Sequence, residues 1–195
     1  MTSTARIAST SSPAGRWSGS VRDMTGSTET RTPSEIARES FRVLFEERDL
    51  SDPYRLWTDE TVDHFMAAGE SVRGAQALAQ WFGELHDAMP DWRIEIENAF
   101  DDGDRQAVVQ WRGSGTFTGA PFMGIEPTGR SIELRGVDVF RFDADGKVET
   151  NTIYYDGAEF ARQIGMLPPR DSALDRGMLA AFNAGTRLKQ RLKPR

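Results

Sequence analysis

The sequence predicts one α+β domain in which helices come first and an antiparallel meander follows. Two features carry that prediction. The spacing of apolar side chains changes from near 3.6 to 2 at Pro90, the change from a helical stripe to alternating strand faces. Turn signals then divide the alternating half at Pro127-Thr128-Gly129 and at Asp145-Gly146, the second a strong hairpin dipeptide. A run of helices followed by a run of strands is an α+β layout. At 195 residues and 38% hydrophobic content, the chain has room for one such core with tails.

Residues 1–31 hold thirteen Ser or Thr and almost no large apolar side chains, so burial cannot offset their ordering entropy and the segment is expected to be disordered. Met24 offers a second possible start. The domain is expected to span 32–168. Thr32-Pro33-Ser34-Glu35 has the form of a capping box with proline in the first turn. Ile36, Ala37, Ser40, Phe41, Leu44 and Phe45 continue it as one helical stripe to about Arg48. A short turn is expected at Pro53–Trp57. Residues 60–66 alternate with Val62, His64 and Met66 on the apolar face, and a second helix carries Ala75, Leu78, Phe82, Leu85 and Met89 up to Pro90.

The strands follow. Trp92, Ile94, Ile96 and Phe100 share one face of the first, and Val109, Trp111 and Phe117 share one face of the next. Two more strands, 130–142 and 147–155, flank the Asp145-Gly146 turn. Asp156 to Glu159 opens a short helix that Gly165 closes. After Pro168-Pro169, residues 169–195 form a basic helical tail in which Leu174, Met178, Phe182, Leu188 and Leu192 line one side. Such a helix covers the domain, covers a dimer partner, or stays a solvated tail.

Charge and composition exclude several functions. With 30 acidic and 24 basic residues, the chain has no overall field for nucleic acid or an anionic membrane, so neither is an expected partner. No window reaches the length of a membrane helix and no secretory core opens the chain, which points to a cytoplasmic protein. Two histidines and no cysteine leave no motif for a metal, and none is expected. Gly113-Ser114-Gly115 lacks the frame of a nucleophile elbow, and no phosphate-binding glycine loop is present.

Two ionisable residues break an apolar pattern. On strand 130–142, Asp138 points the same way as Ile132, Leu134, Phe140 and Phe142, so a carboxylate shares the buried face. Burial without a cation raises its pKa and favours the neutral acid. A structural Asp bonded to backbone or arginine fits the same pattern. His64 sits between Val62 and Met66, where an imidazole is either a base or a satisfied core side chain. The aromatics Trp81, Trp111, Phe117, Tyr154 and Tyr155 suggest an aromatic-lined cavity.

The run Gly124-Ile125-Glu126-Pro127-Thr128-Gly129-Arg130, followed by Val137-Asp138-Val139-Phe140-Arg141-Phe142, Asp145-Gly146-Lys147-Val148 and Gln163-Ile164-Gly165-Met166-Leu167-Pro168, resembles the SnoaL-like polyketide cyclases of the nuclear transport factor 2-like superfamily. The resemblance covers about 33–168 and implies a cone: a curved antiparallel sheet packed on the N-terminal helices. It leaves activity open among isomerases, cyclases, dehydratases, epoxide hydrolases and noncatalytic binding proteins. The aspartate that the cyclases and limonene epoxide hydrolases carry on the last strand falls on Ile153. Val137–Tyr155 is also similar to ketosteroid isomerase. In that likeness Asp138 matches the oxyanion-hole aspartate, Tyr155 the cavity tryptophan, His64 the general base, and Phe41 lies near the oxyanion tyrosine.

The implied function is a cofactor-independent isomerase, cyclase or lyase acting on a hydrophobic carbonyl compound. His64 would take a proton and protonated Asp138 would hydrogen-bond the enolate oxygen, with Tyr155, Asn151, Trp111, Ile153, Phe41 and Phe140 around the substrate. The rival is a noncatalytic binding or dimerisation module, which Ile153 and Phe41 favour. An exposed apolar sheet face makes a homodimer the expected state.

Overall fold

The computed structural model describes residues 31–192. The expectation for the first 31 residues therefore lies, apart from Arg31, outside the described residues. Thr32 caps helix α1 (Pro33–Phe41): its side chain accepts from the Glu35 N–H, and the Glu35 carboxylate accepts from the Thr32 N–H at 2.8 Å. The helix widens rather than ends. Arg42–Glu47 form a π-helical segment closed by Arg48 in the left-handed region (φ 53°), and wider turns of this kind often accompany functional sites. A 3-10 turn at Pro53–Arg55 leads to β1 (Val62–Phe65), β2 (Glu70–Arg73) and helix α2 (Ala75–Ala88).

Strands β3 (Arg93–Asp101), β4 (Gln106–Thr116), β5 (Ser131–Phe142) and β6 (Val148–Tyr155) follow, then helices α3 (Gly157–Gln163) and α4 (Ala173–Arg191). One sheet holds all six strands in the order β2-β1-β6-β5-β4-β3. Strands β3 to β6 are the antiparallel meander that the alternation predicts, and β1 joins its edge in parallel with β6. The sheet curves around a core to which β4 contributes Val109 and Trp111, β5 contributes Ile132, Leu134 and Phe140, and α1 and α2 contribute Ala37, Phe41, Leu78 and Phe82. No helix among the described residues is long and apolar enough to cross a membrane.

Two strand faces differ from the sequence reading. Phe100 is exposed, because the β3–β4 register slips by one between Ile96, opposite Trp111, and Asn98, opposite Gln110. Glu97 is the extra residue of a bulge, and beyond it Ala99 takes the inner side while Phe100 faces out beside Val108. On β1 the period is as predicted but the phase is the opposite one. Thr61, Asp63 and Phe65 are buried, whereas Val62 and His64 are only half-buried and Met66 is exposed. Phe65 decides this: its ring stacks on Trp81 of α2 with centroids 3.8 Å apart and tilts against Phe82. Burying that aromatic surface outweighs burying Val62 and Met66.

Candidate functional site

The concave face of the sheet and helices α1 and α2 enclose a cavity of about 90 Å³. Its wall is apolar and largely aromatic, with Phe41, Trp57, Phe65, Trp81, Phe82, Trp92 and Phe140 among its members. Few polar residues enter: Ser40, Asp63, Asp138 and Asn151, with Tyr155 toward one side. The Ser40 hydroxyl is already committed, donating to the Ile36 carbonyl at 3.0 Å.

Asp138 faces inward from β5, as the alternation predicts, and is buried. Its two oxygens each accept one hydrogen bond, Oδ1 from Trp111 Nε1 at 2.7 Å and Oδ2 from Asn151 Nδ2 at 2.9 Å. Trp111 reaches it because β5 carries a glycine directly opposite. A Cβ on Gly136 would lie 2.2 Å from the indole Cζ2, so only glycine lets the ring lie flat across the sheet. Gly113, two residues on from Trp111 along β4, does the same for Trp92, whose ring would meet a Cβ there at 2.5 Å. Burial pushes the Asp138 carboxyl up to about 6, and the Asn151 and Trp111 N–H donors restrain the rise.

Asp63 is the second buried carboxyl in the cavity. It lies on β1 opposite Asn151 of β6, so the carboxamide stands between the two acids. Asp63 Oδ1 and Asn151 Oδ1 are both buried without a hydrogen-bond partner among the described residues. With no donor to hold its charge, burial first and the neighbouring Asp138 second push Asp63 well above the ordinary carboxylate range. Burial thus raises both carboxyls, but Asp138 has two N–H donors that favour its anion and limit the rise, and Asp63 has none. Environments that drive two acids apart in this way assign them different proton states at one pH.

Of the residues singled out from sequence, Asp138, Trp111, Asn151, Tyr155, Ile153, Phe41 and Phe140 all line the cavity. His64 does not. Its Nδ1 lies 2.8 Å from Ser71 Oγ across the β1–β2 pair, on the other face of the strand. The reading of His64 as the base is corrected by that one-residue phase, and Asp63 occupies the position inside. Thr61-Asp63-Phe65 alternates as regularly as Val62-His64-Met66, and the aromatic at its end was the signal for the correct phase. Gly136 carries no signal beyond being a glycine inside a strand.

A profile of the SnoaL-like polyketide cyclases matches residues 35–164, about two thirds of the chain. The chain belongs to the SnoaL-like polyketide cyclase family. Solved structures agree on the fold. AclR of Streptomyces galilaeus, a candidate hydroxylase, is 19% identical with a TM-score of 0.59, over 84% of this chain and 98% of its own. A candidate SnoaL-like polyketide cyclase from Jannaschia sp. CCS1 is 24% identical with a TM-score of 0.58, over 72% and 99%. An NTF2-like protein from Burkholderia thailandensis is 23% identical with a TM-score of 0.59, over 71% and 100%. No curated protein matches the chain by sequence. The SnoaL-like fold is a small-molecule-binding fold, and here its pocket holds two buried acids, both pushed above the ordinary carboxylate range, of which Asp138 alone has N–H donors.

Proposed function

We propose that the protein is a cofactor-independent enzyme that moves a proton next to the carbonyl of a hydrophobic compound, in an isomerisation, ring closure or elimination. The observation that carries this reading is the pair Asp138 and Asp63 in one apolar cavity, one holding two N–H donors and the other none. Asp138 acts as the base: a carboxylate whose pKa lies near the working pH combines a useful ionised fraction with real basicity. Asp63, neutral, donates its O–H to the carbonyl oxygen as that oxygen gains charge. The C–H proton goes to Asp138, and the enolate takes it back at another carbon, or attacks a second carbonyl carbon whose oxygen then takes the proton from Asp138, or expels a β-hydroxyl that leaves with that proton as water. This inverts the sequence expectation, in which Asp138 was the donor.

The aromatic wall excludes water and selects a hydrophobic substrate, and the small cavity fits a compact ring unless the wall yields. The protein is further proposed to be a cytoplasmic homodimer. The test is exchange of the α-proton of hydrophobic ketones and 1,3-diketones in D2O, followed by NMR. Exchange that disappears in Asp138→Asn and persists in His64→Ala supports the enzyme. Binding of the same compounds without exchange supports a noncatalytic binding module, which the apolar Phe41 and Ile153 on the cavity wall favour.

A further inference from the structure

Helix α4 carries a pattern that the domain does not use. Its 19 residues include none that is buried, and Leu174, Met178, Leu179, Phe182 and Leu188, with Leu192 just past its end, are exposed by 48% or more. Positions 174, 178, 181, 185, 188 and 192 are all apolar or small and are spaced alternately four and three residues apart. That is the seam of a two-helix coiled coil. Ser172 caps the helix, its Oγ accepting from the Asp175 N–H at 3.1 Å, and the domain reaches the start of the helix through Arg162, which lies 3.8 Å from the Asp175 carboxylate.

We propose that α4 is the dimer contact of this protein, pairing with α4 of a second copy in antiparallel orientation. This rests on the homodimer proposed above and not on the catalytic reading. The seam selects the orientation, because it reads the same in reverse. About a two-fold axis at Asn183, Leu174 meets Leu192 of the second copy, Met178 meets Leu188, and Ala181 meets Gly185. Bulky residues thus face bulky ones at both ends, and the two smallest meet at the centre, where the helices approach closest.

The charges select it again. Asp175 lies beside the seam in the first turn of the helix, next to Arg176, and Arg187, Lys189 and Arg191 lie at its end. Antiparallel pairing sets Asp175 beside Lys189 of the other copy, between the same two seam layers, and does so twice by symmetry. Parallel pairing instead crowds the two basic ends together. Beside the axis, Phe182 meets its own counterpart on one flank and Ala184 meets its counterpart on the other. A tail that covers hydrophobic surface only when two chains meet accounts for why Leu174, Met178, Phe182, Leu188 and Leu192 stand in water on the isolated chain, whereas Leu179 lies off the seam and stays exposed.

The chain has no cysteine, so single cysteines report the pairing directly. Ala184→Cys is expected to cross-link two chains under mild oxidation. Leu174→Cys is expected not to, because the two copies of residue 174 lie about 27 Å apart at 1.5 Å of rise per residue. By sedimentation, Asp175→Lys weakens the dimer about tenfold, and adding Lys189→Asp restores it, whereas Leu188→Glu gives a monomer. The urea midpoint of the domain stays unchanged in Leu188→Glu, since that part of α4 contributes nothing to the core. Asp175→Lys also removes the Arg162 contact and is compared with the restored double variant, in which that contact is equally absent. Self-cross-linking of Leu174→Cys overturns the orientation. A dimer that withstands Leu188→Glu overturns the α4 contact and leaves the homodimer standing, and a wild-type chain that stays monomeric at tens of micromolar overturns both.

Discussion

Replacing Asp138 by Asn alters the stability of the protein in a way that its buried position fixes in sign and size. The carboxyl titrates near 3.8 when unperturbed and at about 6 in the folded chain. Between those values the folded state binds the proton more readily than the unfolded state does, so folding is favoured at low pH and loses stability as pH rises from 3.8 through 6. The difference corresponds to roughly 3 kcal/mol once both states are ionised. An asparagine does not titrate and avoids this loss. Its Oδ1 can still accept from Trp111 Nε1, and its Nδ2 can donate to Asn151 once that carboxamide turns over and presents its unpartnered Oδ1.

Urea unfolding of the wild type and of Asp138→Asn, followed by tryptophan fluorescence between pH 4 and pH 8, measures the effect. The variant is expected to gain on the wild type by about 3 kcal/mol across that range, with most of the change between pH 4 and pH 6. Burial of Asp63 acts in both proteins, but the Asp138 charge that also raises the Asp63 pKa is present only in the wild type, so the coupling adds to the gain of the variant at high pH. A stability difference that stays flat with pH would show that Asp138 is solvated and titrates normally, and the acid/base assignment would fall with it.

Other outcomes follow from the same geometry. Activity rises as pH climbs through about 6, where Asp138 loses its proton, and falls again at higher pH as Asp63 loses its own, so a profile of kcat/KM against pH is bell-shaped. Trp111→Phe removes one of the two donors that restrain the Asp138 pKa, and the acid limb of that profile moves to higher pH. Gly136→Ala drives a Cβ into the Trp111 ring and costs about 1–3 kcal/mol or more in urea unfolding, with loss of activity as the indole leaves Asp138. His64→Ala, outside the cavity, leaves kcat/KM unchanged and shifts stability by no more than about 0.5 kcal/mol.

Much of this was legible in the sequence because it depends on local chemistry. The capping box at Thr32, the Asp145-Gly146 turn with Gly146 in the left-handed region, and the alternation that buries Asp138 are all set by neighbours a few residues away. What was not legible depends on partners distant in sequence. The phase of β1 is set by Phe65 stacking on Trp81, the inversion at Phe100 by an extra residue that only the pairing with β4 reveals, and the placement of Trp111 by a glycine on the facing strand. The second acid was hidden by the first of these. A strand read one residue out of phase offers the wrong side chain to the pocket, here His64 for Asp63.

The most direct test of the account is carbon-13 NMR of the Asp63 and Asp138 carboxyl groups through a pH titration of the wild-type protein. The account predicts that Asp138 titrates at about 6 and that Asp63 keeps its proton to higher pH than Asp138 does. Two carboxyls that both titrate in the ordinary range near 4, or an Asp63 that ionises before Asp138, would contradict it.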